Sequence, residues 1–439
     1  MNLALEDHRT FAAGVMGYLD PLKPPRSAYL HIPFCHRRCF YCDFVVVPLG
    51  DKASGANGPG SSAIKSYLNL LHREIAVVPE GAPLATVYIG GGTPSLLTPS
   101  QISSLLGHLE NHFGFQDGVE ITMEIDPASF SLESLKGFVD VGITRISLGG
   151  QSFDDLILER LGRRHRRSHL LEACQWLNDF YRSGWISTWS LDLIQCVPGM
   201  SLCSWEKELN QAIDTSAPHL AIYDLSIEAG TVFAWKQSRG ELELLDHDLA
   251  ADIMRATSSV LSKVGFARYE ISNYALPGHA SRHNRVYWSG AGWWGFGQGA
   301  TSAPWGERFA RPRTRDTYRT WIEDQEQNGV HPSLEVLTAC SMTLDEQLMV
   351  GLRRREGIDF YALARRWGWS EEKCDFYVKL FCEFMKDSLE GGLLKREGSR
   401  FRLSEPKGME LSNQTLIQML RWWDSLPQNV VVQPIPAKL

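Results

Sequence analysis

Six short apolar runs alternate with amphipathic segments along the first half of the chain, and this alternation constrains the fold more than any other feature. The runs are SAYLHI (27–32), TVYIG (86–90), VEITMEI (119–125), ITRISL (143–148), ISTWSLDLI (186–194) and HLAIYDLSI (219–227). Between them lie stretches such as AIKSYLNLLHREIA (63–76), SQISSLLGHLENHF (100–113) and HLLEACQWLNDFYRSG (169–184), with apolar residues at helical spacing. A strand followed by a helix-length crossover starts the next strand in the same direction, so the pattern asks for a parallel sheet. Six units fall short of the eight that close a full barrel. The expected fold is α/β, a partial (β/α)6 barrel. In such architectures the active site assembles at the C-terminal ends of the strands, where the polar residues of interest lie.

Domain boundaries follow from shifts in character. Residues 1–24 read as a lead-in ending at Lys23-Pro24-Pro25, and 25–310 as the α/β unit, with LGDKASGANGPGSS (49–62) a surface loop. Residues 315–328 look helical and NGVHPS (328–333) reads as a turn or linker. From 335 to 425 short helical patterns precede GGLLKREGSRFRLSE (391–405), an apolar, charged-turn, apolar piece that resembles a hairpin. Helices followed by such a wing suggest a winged-helix-like domain, and 426–439 reads as a tail. That fold commonly binds DNA, but 335–425 carries 14 Lys plus Arg against 15 Asp plus Glu, and the whole chain has net charge −7. No basic footprint exists, so nucleic acid is not an expected partner.

The N-terminus, with Glu6, Asp7, His8 and Arg9 interrupting its apolar residues, lacks the form of a signal peptide. The chain has no run of about 18 uncharged apolar residues that would span a membrane; peripheral attachment stays open. Nine cysteines, an odd number with three packed into residues 35–42, do not form a disulfide framework. They point to a metal site in a reducing cytoplasm.

That site is HIPFCHRRCFYCDF (31–44), which places Cys35, Cys39 and Cys42 in a Cys-x3-Cys-x2-Cys loop after the first strand. Three thiolates on a short loop match three irons of a 4Fe–4S cubane and leave the fourth iron open for an exchangeable ligand. The alternatives are three structural cysteines, or zinc completed by His31, His36 or Asp43. Zinc takes four ligands and normally shows a second Cys-x2-Cys or a His pair. The other cysteines (174, 196, 203, 340, 374 and 382) are scattered. Asp43 rather than His follows Cys42, which does not indicate covalent haem attachment.

This loop, with Tyr41 before the last cysteine, resembles the radical S-adenosylmethionine superfamily. YLHIPFC (29–35), YCDF (41–44), GGGTPS (90–95), RISLGGQSF (145–153) and YEISNYALPG (269–278) resemble its coproporphyrinogen dehydrogenase-like branch, and within it the haem chaperones, from about residue 27 to 425. The resemblance implies a radical SAM partial barrel holding a 4Fe–4S cluster and S-adenosylmethionine. It puts Gly92 and Thr93 near the methionyl amino group, where glycines let backbone approach a ligand and offer N–H groups; a tight turn is the other reading. It puts Glu124 on the nucleoside side, with Asp126 beside it readable as a surface carboxylate. Gln151 and Arg163 complete the pocket, Arg163 pairing with the methionyl carboxylate. Asp192, an acid in the apolar SLDLI strand that needs a partner, is another contact, and Tyr29 lies close by. QCVPGM (195–200) departs from the family's usual Gly-Leu-Pro-Gly-Gln and leaves the loop shape open.

HNRVYW (283–288) resembles a motif associated with haem, with His283 a candidate iron ligand or a packed histidine. Thr301 in GATS replaces a histidine usual in the family. The implied function is a haem chaperone that passes haem to haem-requiring proteins such as respiratory enzymes, with an electron donor for the cluster. The alternative is an oxygen-independent coproporphyrinogen III dehydrogenase. Phe44, where that enzyme has a fourth cysteine, and the short stretch before Cys35 argue for the chaperone.

Overall fold

The structure, a computed structural model, describes residues 19, 24–50, 61–304, 308–329 and 342–427. Nearly all of the expected lead-in, most of the Gly/Ser loop, the 330–341 part of the linker and the tail from 428 lie outside the described residues.

The six apolar runs become six parallel strands: β1 (Ser27–Ile32), β2 (Leu84–Gly91), β3 (Phe115–Ile125), β4 (Arg145–Gln151), β5 (Thr188–Gln195) and β6 (His219–Asp224). They lie side by side in chain order. A short hairpin, β7 (Ala267–Arg268) and β8 (Asn273–Ala275), extends the sheet antiparallel beyond β6, and β9 (Trp294–Phe296) adds in parallel to β1. The terminal strands β7 and β9 do not pair with one another, so the sheet stays open, as a partial barrel requires.

Alternation along each strand separates two faces. Leu30, Val87, Ile89, Ile121, Met123, Ile146, Leu148, Leu191 and Leu193 belong to the main apolar core, with residues of the helices α1 (Ser61–Val77), α2 (Pro99–Phe113), α3 (Leu132–Asp140), α4 (Arg167–Arg182), α5 (Leu202–Asp214) and α6 (His247–Lys263). These helices start where their sequences dictate. In α2, Thr98 caps the helix in a reciprocal bond pair with Gln101 and Pro99 occupies the first turn; in α3, Ser131 caps with Ser134. The other row is polar: Thr86, Tyr88, Glu124, Ser147, Ser190, Asp192 and His219 bond to partners on neighbouring strands, turns or helices. Asp192 thus sits in an apolar-looking strand because alternate positions of that strand face a polar interior.

Helix α7 (Arg282–Ser289) carries the HNRVYW motif and stands under the N-terminal ends of β2 and β3. Glu120 in the middle of β3 accepts the backbone N–H groups of Arg282 (3.1 Å) and His283 (3.0 Å), and Ser281 caps the helix through the N–H of Asn284. Helix α8 (Arg315–Asn328) fulfils the helical expectation for 315–328.

A second apolar core lies in the C-terminal part, around Leu348, Phe360, Phe381, Phe401 and Trp422. It is built by α9 (Leu344–Leu352), α10 (Phe360–Arg366), α11 (Glu371–Phe384) and α12 (Ser412–Asp424), with β10 (Ile358–Asp359) and the antiparallel hairpin β11 (Leu394–Glu397) and β12 (Arg400–Leu403). The hairpin turns at Gly398, whose φ of 64° suits glycine. Among the described residues no helix is long and apolar enough to cross a membrane.

Candidate functional site

The three cysteines stand on the loop that leaves β1 and climbs over the C-terminal ends of the strands. The loop is pinned at both ends. Val47 and Leu49 donate N–H bonds to Pro33 (2.6 Å) and Cys35 (2.8 Å), and Phe40 donates to Leu161 (3.0 Å). Arg37 reaches across to the carbonyls of Gly162 (3.0 Å) and Arg163 (2.8 Å). The loop, anchored also by Phe34, Phe40, Tyr41 and Val47 on the main core, thereby holds three thiols at the rim of one cavity.

That cavity, about 430 Å³, is lined by Cys35, Cys39 and Cys42 together with Gly92, Thr93, Glu124, Gln151, Arg163 and Asp192. All three expected cluster ligands and six of the eight expected cofactor contacts meet here. Among the described residues no three His, Cys, Asp or Glu side chains gather around one point as a single metal ion would need.

The floor is acidic. Glu124 accepts from the Tyr88 hydroxyl (2.9 Å) and the Gly91 N–H (3.0 Å), and burial pushes its pKa up to about 7. Asp192 accepts from Ser147 (2.9 Å to Oδ2) and Ser190 (2.8 Å to Oδ1), and burial raises it too. On the opposite wall Arg163 makes an ion pair with Asp126, donates to the Gly149 carbonyl (2.8 Å) and lies 3.5 Å from the Cys39 sulfur. Burial alone would raise the Asp126 carboxyl, but Arg163 and His165 outweigh it and hold it below its usual value. The buried Arg163 Nε has no protein partner. Gln151 takes a left-handed backbone, φ 66°, as its strand bends over the cavity. Gln195, in the departing QCVPGM segment, is tied to Asp224 (2.6 Å) and Thr257 (2.7 Å), and neighbouring Ile194 lines the cavity.

Three expectations change. The amides of Gly92 and Thr93 are spent on the Ile32 (2.8 Å) and Phe34 (2.7 Å) carbonyls and are not offered to a ligand. The glycine run is instead required by the protein's own packing: a Cβ on Gly92 would lie 2.6 Å from the Phe34 carbonyl oxygen, and one on Gly91, at φ +113°, 2.5 Å from the His31 ring. Carbonyl oxygens and the Thr93 hydroxyl, itself 3.5 Å from the Cys35 sulfur, are what this segment can present. Tyr29 is not among the cavity-lining residues; its hydroxyl bonds His31 (3.0 Å) and its ring stacks on Tyr88. His283 also lies apart. It is fully buried, with Nδ1 on Thr86 (2.8 Å) and Nε2 on the Tyr287 hydroxyl (2.8 Å), and burial lowers its pKa to about 3. Thr301 sits in a two-residue strand away from the cavity. Conversely Asp126, Tyr88, Ser147 and Tyr223 line the cavity without having been expected there.

The radical SAM superfamily profile matches residues 29–212. The heme chaperone HemW of Synechocystis sp. is 39% identical over 340 residues, 77% of this chain and 80% of that protein. HemW of Lactococcus lactis is 31% identical over 91% of this chain and 98% of its own. The chain belongs to the HemW family. A solved structure of coproporphyrinogen III oxidase (HemN) from Escherichia coli superposes with a TM-score of 0.72 over 92% of this chain and 93% of that one, at 18% identity, and shares the fold. Membership of the HemW family, within the radical SAM superfamily, implies a 4Fe–4S cluster and S-adenosylmethionine. The donor set fits both groups. Three thiols edge the cavity, an orphaned guanidinium nitrogen lies beside it, and two acceptor carboxylates form its floor.

Proposed function

We propose that the protein is a haem chaperone: it holds a 4Fe–4S cluster at Cys35, Cys39 and Cys42, binds S-adenosylmethionine in the adjoining cavity, binds haem and passes it to haem-dependent proteins. The observation that carries this reading is the three-thiol rim over an acidic-floored cavity in a chain whose relatives, 31–39% identical over most of its length, are named heme chaperones. When bound, the cluster and its ligand supply one-electron cleavage chemistry through the open iron.

The chain's own residues bind and orient. Arg163, a cation in the cavity lining, suits the methionyl carboxylate. The ammonium suits the carbonyl and hydroxyl oxygens around Gly92 and Thr93. Glu124 and Asp192 suit ribose hydroxyls, and Gln151 closes the side. Haem, haem-accepting proteins and an electron donor are the proposed partners. His283 and Tyr29 stand outside the proposed site because their polar atoms are committed elsewhere.

Phe44, 57% exposed at the cavity's edge, favours the chaperone over the dehydrogenase, since it supplies no fourth thiol. The test is to reconstitute the cluster anaerobically, titrate haem, and separately supply coproporphyrinogen III with S-adenosylmethionine and a reductant. Stoichiometric haem binding without decarboxylation is expected. Formation of protoporphyrinogen would overturn the reading.

A further inference from the structure

Asp192 is the end of a chain of hydrogen bonds that runs from the cavity floor through the barrel interior. Ser190 Oγ lies 2.8 Å from Asp192 Oδ1 and 2.7 Å from His219 Nδ1. His219 Nε2 lies 2.9 Å from the Tyr269 hydroxyl, which in turn lies 3.3 Å from the backbone nitrogen of Ser281, the cap residue of α7. Ser190 and Ser281 are fully buried and His219 nearly so.

One arrangement of protons satisfies every member of the chain, starting from the far end. The Ser281 amide can only donate, so Tyr269 oxygen accepts there and its own hydrogen is available for His219 Nε2. Burial keeps the imidazole neutral, with one N–H. That N–H is then at Nδ1 and points at Ser190 Oγ, and the single Ser190 hydrogen goes to Asp192. The opposite tautomer would turn the Ser190 hydrogen to Nδ1, strip Asp192 of a donor, and leave the Tyr269 hydrogen without a place in the chain. With Ser147 also donating to it, Asp192 has its inward lone pairs satisfied from below and presents only acceptor capacity to the cavity.

We propose that His219 is a positioning residue that, as the Nδ1–H tautomer fixed by Tyr269, orients Ser190 so that Asp192 is an oriented acceptor selecting a ligand with hydroxyl groups, the ribose of a nucleoside. The inference rests on the reading of the cavity as an S-adenosylmethionine site. It adds a specificity determinant separated from the ligand by two residues, Ser190 and Asp192.

The test measures binding of S-adenosylmethionine and of its 2′-deoxy and 3′-deoxy analogues to anaerobically reconstituted protein, iron content being checked for each variant. His219→Phe keeps an aromatic side chain and removes both nitrogens. It should weaken S-adenosylmethionine about tenfold, the size of one oriented hydrogen bond to a charged group, while the ratio to wild type collapses toward one for at least one deoxy analogue. Tyr269→Phe, at the half-buried far end, should give the same ligand-dependent loss in smaller measure, and keeps the proposal testable if His219→Phe does not fold. His219→Gln, which retains a donor and an acceptor, should recover part of the affinity. Equal weakening for all three ligands would show a merely structural role and overturn the proposal. Asp192→Asn separates the layers: unchanged binding there overturns the reading of the cavity and the relay with it, whereas loss in Asp192→Asn with none in His219→Phe or Tyr269→Phe overturns the relay alone.

Discussion

Glu124 shows how much chemistry one position can carry. Its carboxyl is pushed from 4.5 to about 7 by burial, so the folded protein keeps a proton that the unfolded chain has released between those values. Stability contributed by this group is therefore fully present below about pH 4.5 and is lost as pH rises through about 7, by up to about 3 kcal/mol. Glu124→Gln in the cluster-free protein should remove that slope and raise the melting temperature relative to wild type at pH 8 but not at pH 5; parallel melting curves at both pH values would refute the assignment. The same variant should weaken S-adenosylmethionine. Not all of this was legible in the sequence. The cysteine spacing singles out its three residues because few other uses need three thiols in eight positions. Glu124 and Asp126 are two carboxylates two residues apart, and only the approach of Arg163 from a later loop gives Asp126 its place. The glycine run marks a crowded spot in any sequence; that the crowding comes from Phe34 and His31 is a tertiary fact.

At the scale of the element, α7 explains why His283 and Val286 of the HNRVYW segment are buried beneath the barrel. Its N-terminus is held by the Glu120 carboxylate, His283 reaches up beside Tyr88, and Tyr287 packs edge-on against His283. For His283 to ligate iron, one of its two ring nitrogens, bonded to Thr86 and to Tyr287, must give up its partner and reach the metal from a fully buried position. His283→Ala should accordingly leave haem stoichiometry unchanged while lowering stability by about 1–3 kcal/mol, the cost of orphaning buried polar partners. Loss of haem binding without loss of stability would mean that the helix swings out. Glu120→Ala should cost a similar amount, since two helix N–H groups lose a charged acceptor. The six strands were legible because alternation and β-rich composition agree in each. The β7–β8 hairpin and β9 were not, because strands of two or three residues have too few positions to show a period.

Among the described residues the whole molecule has two large apolar cores, one behind the open sheet and one in the C-terminal part, and a small cluster around Val286 and Trp293. The hairpin expected at 391–405 forms where the charged turn predicts, and its strand β12 contributes Phe401 to the second core. We propose that this part is a separate packing unit which steadies α7 through the Arg285–Glu356 ion pair (2.9 Å). Phe381→Ala, which empties the centre of the second core, should destabilise it by about 3–5 kcal/mol and be seen as an early melting step that leaves cluster content intact; a single cooperative transition with loss of iron would contradict the division. The central claim concerns the barrel mouth. Its most direct test is the electron paramagnetic resonance spectrum of the reduced, anaerobically reconstituted protein before and after S-adenosylmethionine is added. A cluster held by Cys35, Cys39 and Cys42 with one open iron should give a signal that shifts on addition, and Cys39→Ala should give neither signal nor shift. A reduced cluster whose spectrum is indifferent to S-adenosylmethionine, or that survives intact in Cys39→Ala, would contradict it.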